Sequence, residues 1–319
     1  MKIFIVGGAG YIGSHMVKIA HQAGHNVITL DNLSTGHQDA VLYGEFELCD
    51  ILDTAKLDKL FKKYKPDAVM HFSAYSLVAE SMTDPYKYYN NNVSGTLSLL
   101  KAMIDNDCMK FIFSSSAAIF GNPEYIPIDE SHPKNPINPY GKSKLMAEEI
   151  LKDFELAYGL KYVSFRYFNA AGHDPEGDLS ERHDPETHLL PIIMQAANGQ
   201  RESVSIFGND YDTNDGTCVR DYIHVNDLAN AHLKGLDYLN QSESLSAEFN
   251  LGNCNGYSVK EVIQQVKDTT GKDFKILEEG RRDGDPSTLI ASDNKARRIL
   301  ELEANFSSLE KIIETLVVK

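Results

Sequence analysis

KIFIVGGAGYIGSH, residues 2–15, sets the architecture of the chain. Ile3, Phe4, Ile5 and Val6 form a short apolar run suited to a strand covered on both faces, as parallel strands are. Glycines follow at once, and a helix start follows the glycines. Gly7, Gly10 and Gly13 fit a G-x-x-G-x-x-G spacing, while Gly8, Gly10 and Gly13 fit G-x-G-x-x-G. Either spacing answers the same need: positive φ in a tight turn, a backbone bare enough to meet a pyrophosphate, and unpaired N–H groups that attract its oxygens. The stretch reads as a nucleotide cradle.

A second strand over 26–30 ends in Asp31, about 20 residues beyond the glycines, where such a cradle has an acid. A carboxylate there accepts from both ribose hydroxyls and repels the extra phosphate of NADP, so the expected cofactor is NAD. Capping of the loop 32–36 is the alternative role for Asp31. Strands and helices then alternate: strand 45–48, helix 51–64, strand 68–71, helix 86–105, strand 110–114, helix 140–158 and strand 161–166. This is βαβ winding, and it predicts an α/β, Rossmann-type doubly wound parallel sheet of six or more strands. The loop between Ser114 and Tyr140 holds Pro123, Pro127, Pro133, Pro136 and Pro139, five of the 11 prolines, and reads as ordered without being regular. After Asn169 the alternation breaks into a polar stretch, 173–187. We therefore expect an NAD-binding domain over 1–170 and a smaller mixed α/β substrate-binding domain over 171–319, with the chain crossing back to the first around 219–240.

The 319 residues carry a net charge of −15 and a pI of about 5.1. That balance disfavours nucleic acid and anionic membranes as partners, while an anionic small substrate stays compatible if arginines are focused in one cleft. No apolar run approaches the roughly 18 residues of a membrane span, and the chain enters a strand with no signal peptide, so a cytoplasmic protein is expected. Cys49, Cys108, Cys218 and Cys254 are scattered with no C-x-x-C pair. Buried free thiols, and no metal, are the expectation.

Tyr140 and Lys144 open the helix 140–158 and, four residues apart, share one face of it. A phenol titrates near pH 10, so using it as a base near neutrality costs about 4 kcal/mol. An ammonium beside it and a nicotinamide cation can supply that by stabilising the phenolate. Ser114, Ser115 and Ser116 end the neighbouring strand, at the rim where open α/β sheets hold ligands. They read either as turn formers or, in this company, as including a catalytic hydrogen-bond donor. Arg220 and Arg282 lie in polar, glycine-containing loops, and their guanidinium forks suit phosphate oxygens. Exposed surface pairs are the other reading, and Arg281 is an alternative to Arg282.

These residues sit in longer stretches that resemble a known family: GGAGYIGSH at 7–15, YYNNNVSGT at 88–96, FSSSA at 113–117, PYGKSK at 139–144, RYFNAAG at 166–172, IFGNDYDTNDGTCVRDYIHV at 206–225 and RRDGD at 281–285. Together they are similar to the extended short-chain dehydrogenases/reductases, and within them to the UDP-hexose 4-epimerase branch, over nearly the whole chain. The stretch 206–225 is the specific one, because the wider superfamily shares the glycine turn and the Tyr/Lys pair.

The resemblance implies reversible epimerisation at C4 of UDP-glucose and UDP-galactose through a 4-keto sugar, with tightly bound NAD, in galactose metabolism. It implies Tyr140 as base, Lys144 as the group that lowers its pKa and holds the nicotinamide ribose, and Ser116 on the sugar O4. It places Asp31 on the adenosine ribose, Asp50 and Ile51 on the adenine, Asn91 near the pyrophosphate and Tyr167 by the nicotinamide. Gly7, Gly10, Tyr11, Ile12, Gly13, Asn32, Phe72, Ser73, Ala74 and Ser114 complete its cofactor set. For the substrate it implies Asn169, Arg220 and Arg282 on the diphosphate, Phe207 and Tyr222 near the uridine and Asp285 near its ribose, with His188 and Leu189 beside them. Ser76 and Ala118 depart from the family pattern, which has a lysine in some members at the first and a threonine in many at the second.

Two rivals remain in view. A 4,6-dehydratase or decarboxylase of the same fold needs an acid just after the serine run, where this chain has Ala117, Ala118, Ile119 and Phe120. A non-catalytic NAD-binding protein has no need of Tyr140, Lys144 and Ser116 together. Two apolar stripes, Tyr86, Tyr89, Val93, Leu97, Leu100 and Ile104, and Met146, Ile150, Phe154 and Tyr158, either pack on the sheet or meet a partner. The family pairs these two helices across a two-fold axis, which implies a homodimer. It also places Leu289 beside the sugar's 2-position, and the intermediate volume of leucine predicts turnover of UDP-GlcNAc as well as UDP-glucose.

Overall fold

The computed structural model describes residues 1–241, 243–282 and 285–317. In chain order the first half runs β1 (Lys2–Val6), α1 (Tyr11–Gln22), β2 (Asn26–Asp31), β3 (Glu45–Leu48), α2 (Thr54–Tyr64), β4 (Ala68–His71), α3 (Val78–Thr83), α4 (Pro85–Tyr88), α5 (Thr96–Asp105), β5 (Lys110–Ser116), α6 (Pro139–Tyr158) and β6 (Lys161–Tyr167). The second half runs β7 (Asn169–Ala171), α7 (Leu189–Ala197), β8 (Ser203–Phe207), β9 (Val219–His224), α8 (Val225–Leu239), β10 (Ala247–Leu251), β11 (Gly256–Ser258), α9 (Val259–Thr270), β12 (Lys275–Glu279), β13 (Thr288–Leu289), α10 (Asn294–Leu300) and α11 (Leu309–Val317).

A seven-stranded sheet in the order β10-β6-β5-β4-β1-β2-β3 is parallel throughout. Alternation along β1 covers both of its faces. Ile3 and Ile5 pack with Met16, Val17 and Ala20 of α1 and Leu228 of α8, whereas Phe4 packs with Leu57 of α2, Leu99 of α5 and Ala147 of α6. The strand order reverses between β1 and β4, and a doubly wound sheet opens its ligand crevice at such a reversal. A smaller sheet joins β9 to β7, β11 and β13, β8 pairs with β12, and α7, α9 and α11 share a separate apolar core. The return to the large sheet is made by α8, inside the expected 219–240, and by β10 after it. β9 stays in the small sheet, and only at His224, whose Nδ1 accepts from Asn226 N at 3.1 Å, does the chain turn into α8.

Three local expectations are corrected. The helical pattern over 86–105 is α4, a π-helical stretch Tyr89–Gly95 and α5. The wider π turns rotate the apolar face, so Tyr86 and Leu97 are exposed while Leu100 is fully buried against the sheet, and the six residues do not form one stripe. β5 runs on through the serine run to Ser116, two residues past the expected end at 114, and all three side chains are buried. Of the four cysteines Cys49, Cys108 and Cys218 are buried, but Cys254 is exposed, in a loop where φ is +59°.

Candidate functional site

The turn after β1 packs backbone against backbone. A Cβ at Gly7, where φ is +82°, would lie 2.5 Å from Ser73 N, and one at Gly13 would lie 2.1 Å from Gly7 O. A Cβ at Gly8 would likewise lie 2.8 Å from Thr29 Cγ2, so Gly7, Gly8 and Gly13 are all closely packed. At Gly10 the only neighbour of an added Cβ would be Gly7 O at 3.4 Å, so this position faces open space. Gly10 caps α1 without a side-chain bond, and the first turn of α1, which Tyr11, Ile12 and Gly13 begin, has no acid. Its N–H groups are left for an anion, which fits a dinucleotide pyrophosphate. The Tyr11 hydroxyl donates to Gly172 O at 2.6 Å and ties the cradle to the second half of the chain.

Asp31 holds the loop that follows β2 and keeps room for a second partner. Oδ2 accepts from Ala9 N at 3.0 Å and Oδ1 from Leu33 N at 2.8 Å, so it does hold the loop, and burial pushes its pKa up against those bonds. Each oxygen keeps a free lone-pair site for a ribose hydroxyl. Asn32 Nδ2 donates to Asp50 Oδ2 at 2.9 Å, and Ile51 is buried under Gly95. Phe72, Ser73 and Ala74 are partly buried after β4, against the glycine turn. Asn91 Nδ2 donates to Asn92 Oδ1 at 3.0 Å.

α6 starts where it does because Asn138 Oδ1 accepts from Gly141 N at 2.8 Å and Pro139 fits the first turn. A Cβ at Gly141 would lie 2.4 Å from Ala118 O, so the helix start sits directly on the turn that follows Ser116. That contact sets Tyr140 against the end of β5. Burial raises the Tyr140 pKa, and hydrogen bonding with the Ser116 hydroxyl opposes the rise. Ser116 Oγ also accepts from Ala118 N at 3.1 Å. One turn on, Lys144 Nζ donates to Ser114 O at 2.7 Å and lies 6.0 Å from the centre of the Tyr140 ring. Burial lowers the Lys144 pKa to about 7, against the pull of Glu148. The Ser114 and Tyr167 hydroxyls are hydrogen-bonded to each other.

Across the crevice, Arg220 of β9 and Leu289 of β13 are in register. Asp285 lies between two guanidiniums, 3.7 Å from Arg220 Nη2 and 3.0 Å from Arg282 Nε. Arg282 stacks over Phe207 at 4.7 Å, so Phe207, Arg220, Arg282 and Asp285 form one group. Asp283 and Gly284 of the same motif lie outside the described residues. Arg281 is directed elsewhere, to Asp210 at 2.7 Å and the Tyr211 ring at 4.2 Å. Asn169 is in register with Tyr222, and its Nδ2 donates to Asp221 O at 3.1 Å. The Tyr222 ring belongs to the core around α7, α9 and α11, and Leu189, at the start of α7, packs against the same core. His188 Nδ1 bonds to the buried Glu181, which also holds His183 at 3.0 Å. Despite burial, the two imidazoles hold Glu181 down at about 2.

Glu148, Arg166 and Asn92 escaped the sequence reading. Asn92 is buried and bridges Tyr75 O and Ser143 Oγ, at 3.0 and 3.1 Å, tying the π-helical stretch to α6. Glu148 and Arg166 form a buried ion pair at 2.8 Å behind Lys144. The available signal was a carboxylate four residues after Lys144 on the sheet-facing side of α6.

A parallel sheet with a bare glycine turn at its point of reversal, a Tyr/Lys pair over a serine at the next strand end and arginines opposite define a nucleotide-dependent enzyme of the doubly wound class. The chain belongs to the NAD dependent epimerase/dehydratase family, whose model matches residues 3–252. It is 51% identical to the UDP-glucose 4-epimerase of Halalkalibacterium halodurans, over 98% of this chain and 94% of that one. Among solved structures it is similar to the UDP-glucose 4-epimerase from Brucella ovis in complex with NAD, with a TM-score of 0.96 and 47% identity over 98% and 96% of the two chains. The UDP-Glc/GlcNAc 4-epimerase from Campylobacter jejuni has a TM-score of 0.86 and 43% identity over 98% and 97%.

Proposed function

We propose that the protein interconverts UDP-glucose and UDP-galactose by epimerisation at C4, with NAD held in the glycine cradle. The observation that carries this reading is the fit of an epimerase of the same family, 51% identical over nearly the full chain, to a site where Tyr140, Lys144 and Ser116 meet at one strand end. NAD, when bound, supplies reversible hydride transfer at C4. Tyr140 takes the O4 proton, Lys144 stabilises the phenolate and reaches the nicotinamide ribose, and Ser116 hydrogen-bonds O4. Arg220 and Arg282 hold the diphosphate with Asp285 and Phe207 on the uridine side, so the 4-keto hexose is free to present its other face before the proton returns. A dehydratase or decarboxylase is not supported, because Ala117, Ile119 and Phe120 after the serine run are buried in an apolar cluster and offer no acid.

The division into a cofactor unit and a substrate unit after about residue 170 goes with this reading, the first regaining α8 and β10. So does a homodimer through the outer faces of the α4–α5 segment and α6, where Tyr86 is 77% exposed, Met146 46% and Tyr158 55%. Among the described residues no helix is long and apolar enough to cross a membrane. A cytoplasmic location is proposed on the four unpaired thiols, which suit a reducing compartment. The test is the product formed from UDP-galactose by purified protein with no cofactor added. UDP-glucose is expected, and its absence from protein shown to carry NAD overturns the reading.

A further inference from the structure

Tyr140, Lys144 and Glu148 follow one another at single-turn spacing along α6, and β5 answers all three: Ser116 with its hydroxyl at Tyr140, Ser114 with its carbonyl at Lys144, and Ser115 with its hydroxyl at Glu148, 2.6 Å away. Glu148 is fully buried and immobilised from two strands. Its Oε1 accepts from Ser115 Oγ and from Arg166 Nε at 2.9 Å, and its Oε2 accepts from Arg166 Nη2 at 2.8 Å. A carboxylate gripped by a planar fork cannot swing away from its place one turn, roughly 6 Å, below the lysine.

Lys144 is itself buried and, among the described residues, has a single protein hydrogen bond, to Ser114 O. The other groups facing it are the Phe113 ring at 5.0 Å, the Tyr140 ring and, from β4, His71, which burial and Lys144 hold neutral. Glu148 is the carboxylate that acts on it. Around Glu148 itself stand Arg166 and, farther out, Glu248 at 4.0 Å from Arg166, with Lys134 and Lys152 within electrostatic range.

We propose that Glu148 is a positioning residue whose fixed buried charge, set by Arg166 and Ser115, raises the fraction of Lys144 held as an ammonium at working pH. The inference rests on Tyr140 and Lys144 serving as proposed above. A negative charge behind the lysine favours its protonated form, and only that form stabilises a phenolate. Removing the charge lets the ammonium lose its proton at lower pH, so the alkaline limb of turnover moves down.

The test uses holoenzyme with ¹³Cε-labelled lysine, the Lys144 resonance being assigned by its loss in Lys144→Met. In Glu148→Gln the Lys144 titration, and with it the alkaline limb of kcat, should fall by about 1 pH unit, a tenfold loss of ammonium at fixed pH, while KM stays within about twofold. Glu148→Asp should recover most of the native profile. If Glu148→Gln does not fold, Glu148→Gln with Arg166→Met leaves no unpaired buried charge, and the Lys144 titration should still fall, by less than the single variant's shift because the arginine's opposing charge is removed as well. A Lys144 titration unchanged in the folded variant overturns the proposal whatever the activity. A shifted titration with an unchanged kcat profile leaves the coupling standing and counts against the role of Lys144 in catalysis.

Discussion

Around the glycine turn the contacts run from backbone to backbone, with Gly7 against Ser73 N and Gly13 against Gly7 O at distances that no side chain could share. Across the crevice, Phe207, Arg220, Arg282 and Asp285 meet through side chains, and the Arg282 side chain is 61% exposed. A cofactor that is regenerated in each turnover suits a cradle with no adjustable parts. A substrate that must leave, and whose hexose must turn, suits charged forks that exchange an Asp285 carboxylate for phosphate oxygens. One side therefore fails by collision and the other by loss of affinity, and the two failures should differ in size and in kind.

The largest effect is expected at Gly13. A Cβ there is placed 2.1 Å from a backbone carbonyl that has nowhere to go, so Gly13→Ala should cost about 3 kcal/mol or more and yield protein without NAD. Gly10→Ala meets only one atom at 3.4 Å, so the free chain should keep its melting temperature and lose cofactor alone. Thermal unfolding with quantitation of released nucleotide checks both. Equal melting temperatures for the two variants would show that the turn is not set by packing. In the same assay the cofactor released from native protein should be NAD, and NADP would overturn the reading of Asp31.

Tyr140→Phe comes next and touches neither side of the comparison. The hydroxyl is lost while the ring remains beside Tyr88, centre to centre at 6.5 Å. A fall in kcat of at least about 10²-fold is expected with NAD content unchanged. Near-native turnover would remove Tyr140 as the base.

Much of this was legible because it follows from local rules. The apolar run, the glycines and Asp31 lie within one βα unit, and the Asn138 cap and Pro139 place Tyr140 from the sequence alone. What stayed hidden depends on contacts between distant segments. The π-helical stretch Tyr89–Gly95 has no signature of its own in the sequence and splits a stripe that looks continuous. β13 has only two residues, too short for any periodicity, yet it brings Leu289 alongside Arg220. Burial of Glu148 needs Arg166 from β6 to be bearable, and the sequence holds these two 18 residues apart.

On the adjustable side, Arg220 should matter more than Arg282. The Arg220 side chain is 16% exposed and belongs to a strand, so the bonds to phosphate proposed for it would form with little solvent competition. Arg220→Ala should lower kcat/KM about 10- to 100-fold, mostly through KM. Arg282→Ala, at an exposed pair, should lower it about tenfold or less. A larger loss at Arg282 would show that the loop closes over the diphosphate and buries it.

The smallest expected effect concerns Leu289, where the two sides meet. The residue is half-buried, in register with Arg220 and packed against the cluster of Ala117, Ile119, Phe120 and Phe168, so it lies against the turn that follows Ser116. A side chain there lies between the arginines proposed for the nucleotide and the serine proposed for the sugar. A bulky ring would fill the space beside the hexose, whereas leucine, smaller and free to change χ2, leaves it open to an N-acetyl group. Native enzyme should turn over UDP-GlcNAc as well as UDP-glucose. In Leu289→Tyr the ratio of the two kcat/KM values should fall by about tenfold, within the 1–3 kcal/mol that shape exclusion provides. Native protein that ignores UDP-GlcNAc removes the breadth. An unchanged ratio in the tyrosine variant instead makes Leu289 a packing residue of the apolar cluster, with the gate to be sought among the other side chains around the sugar.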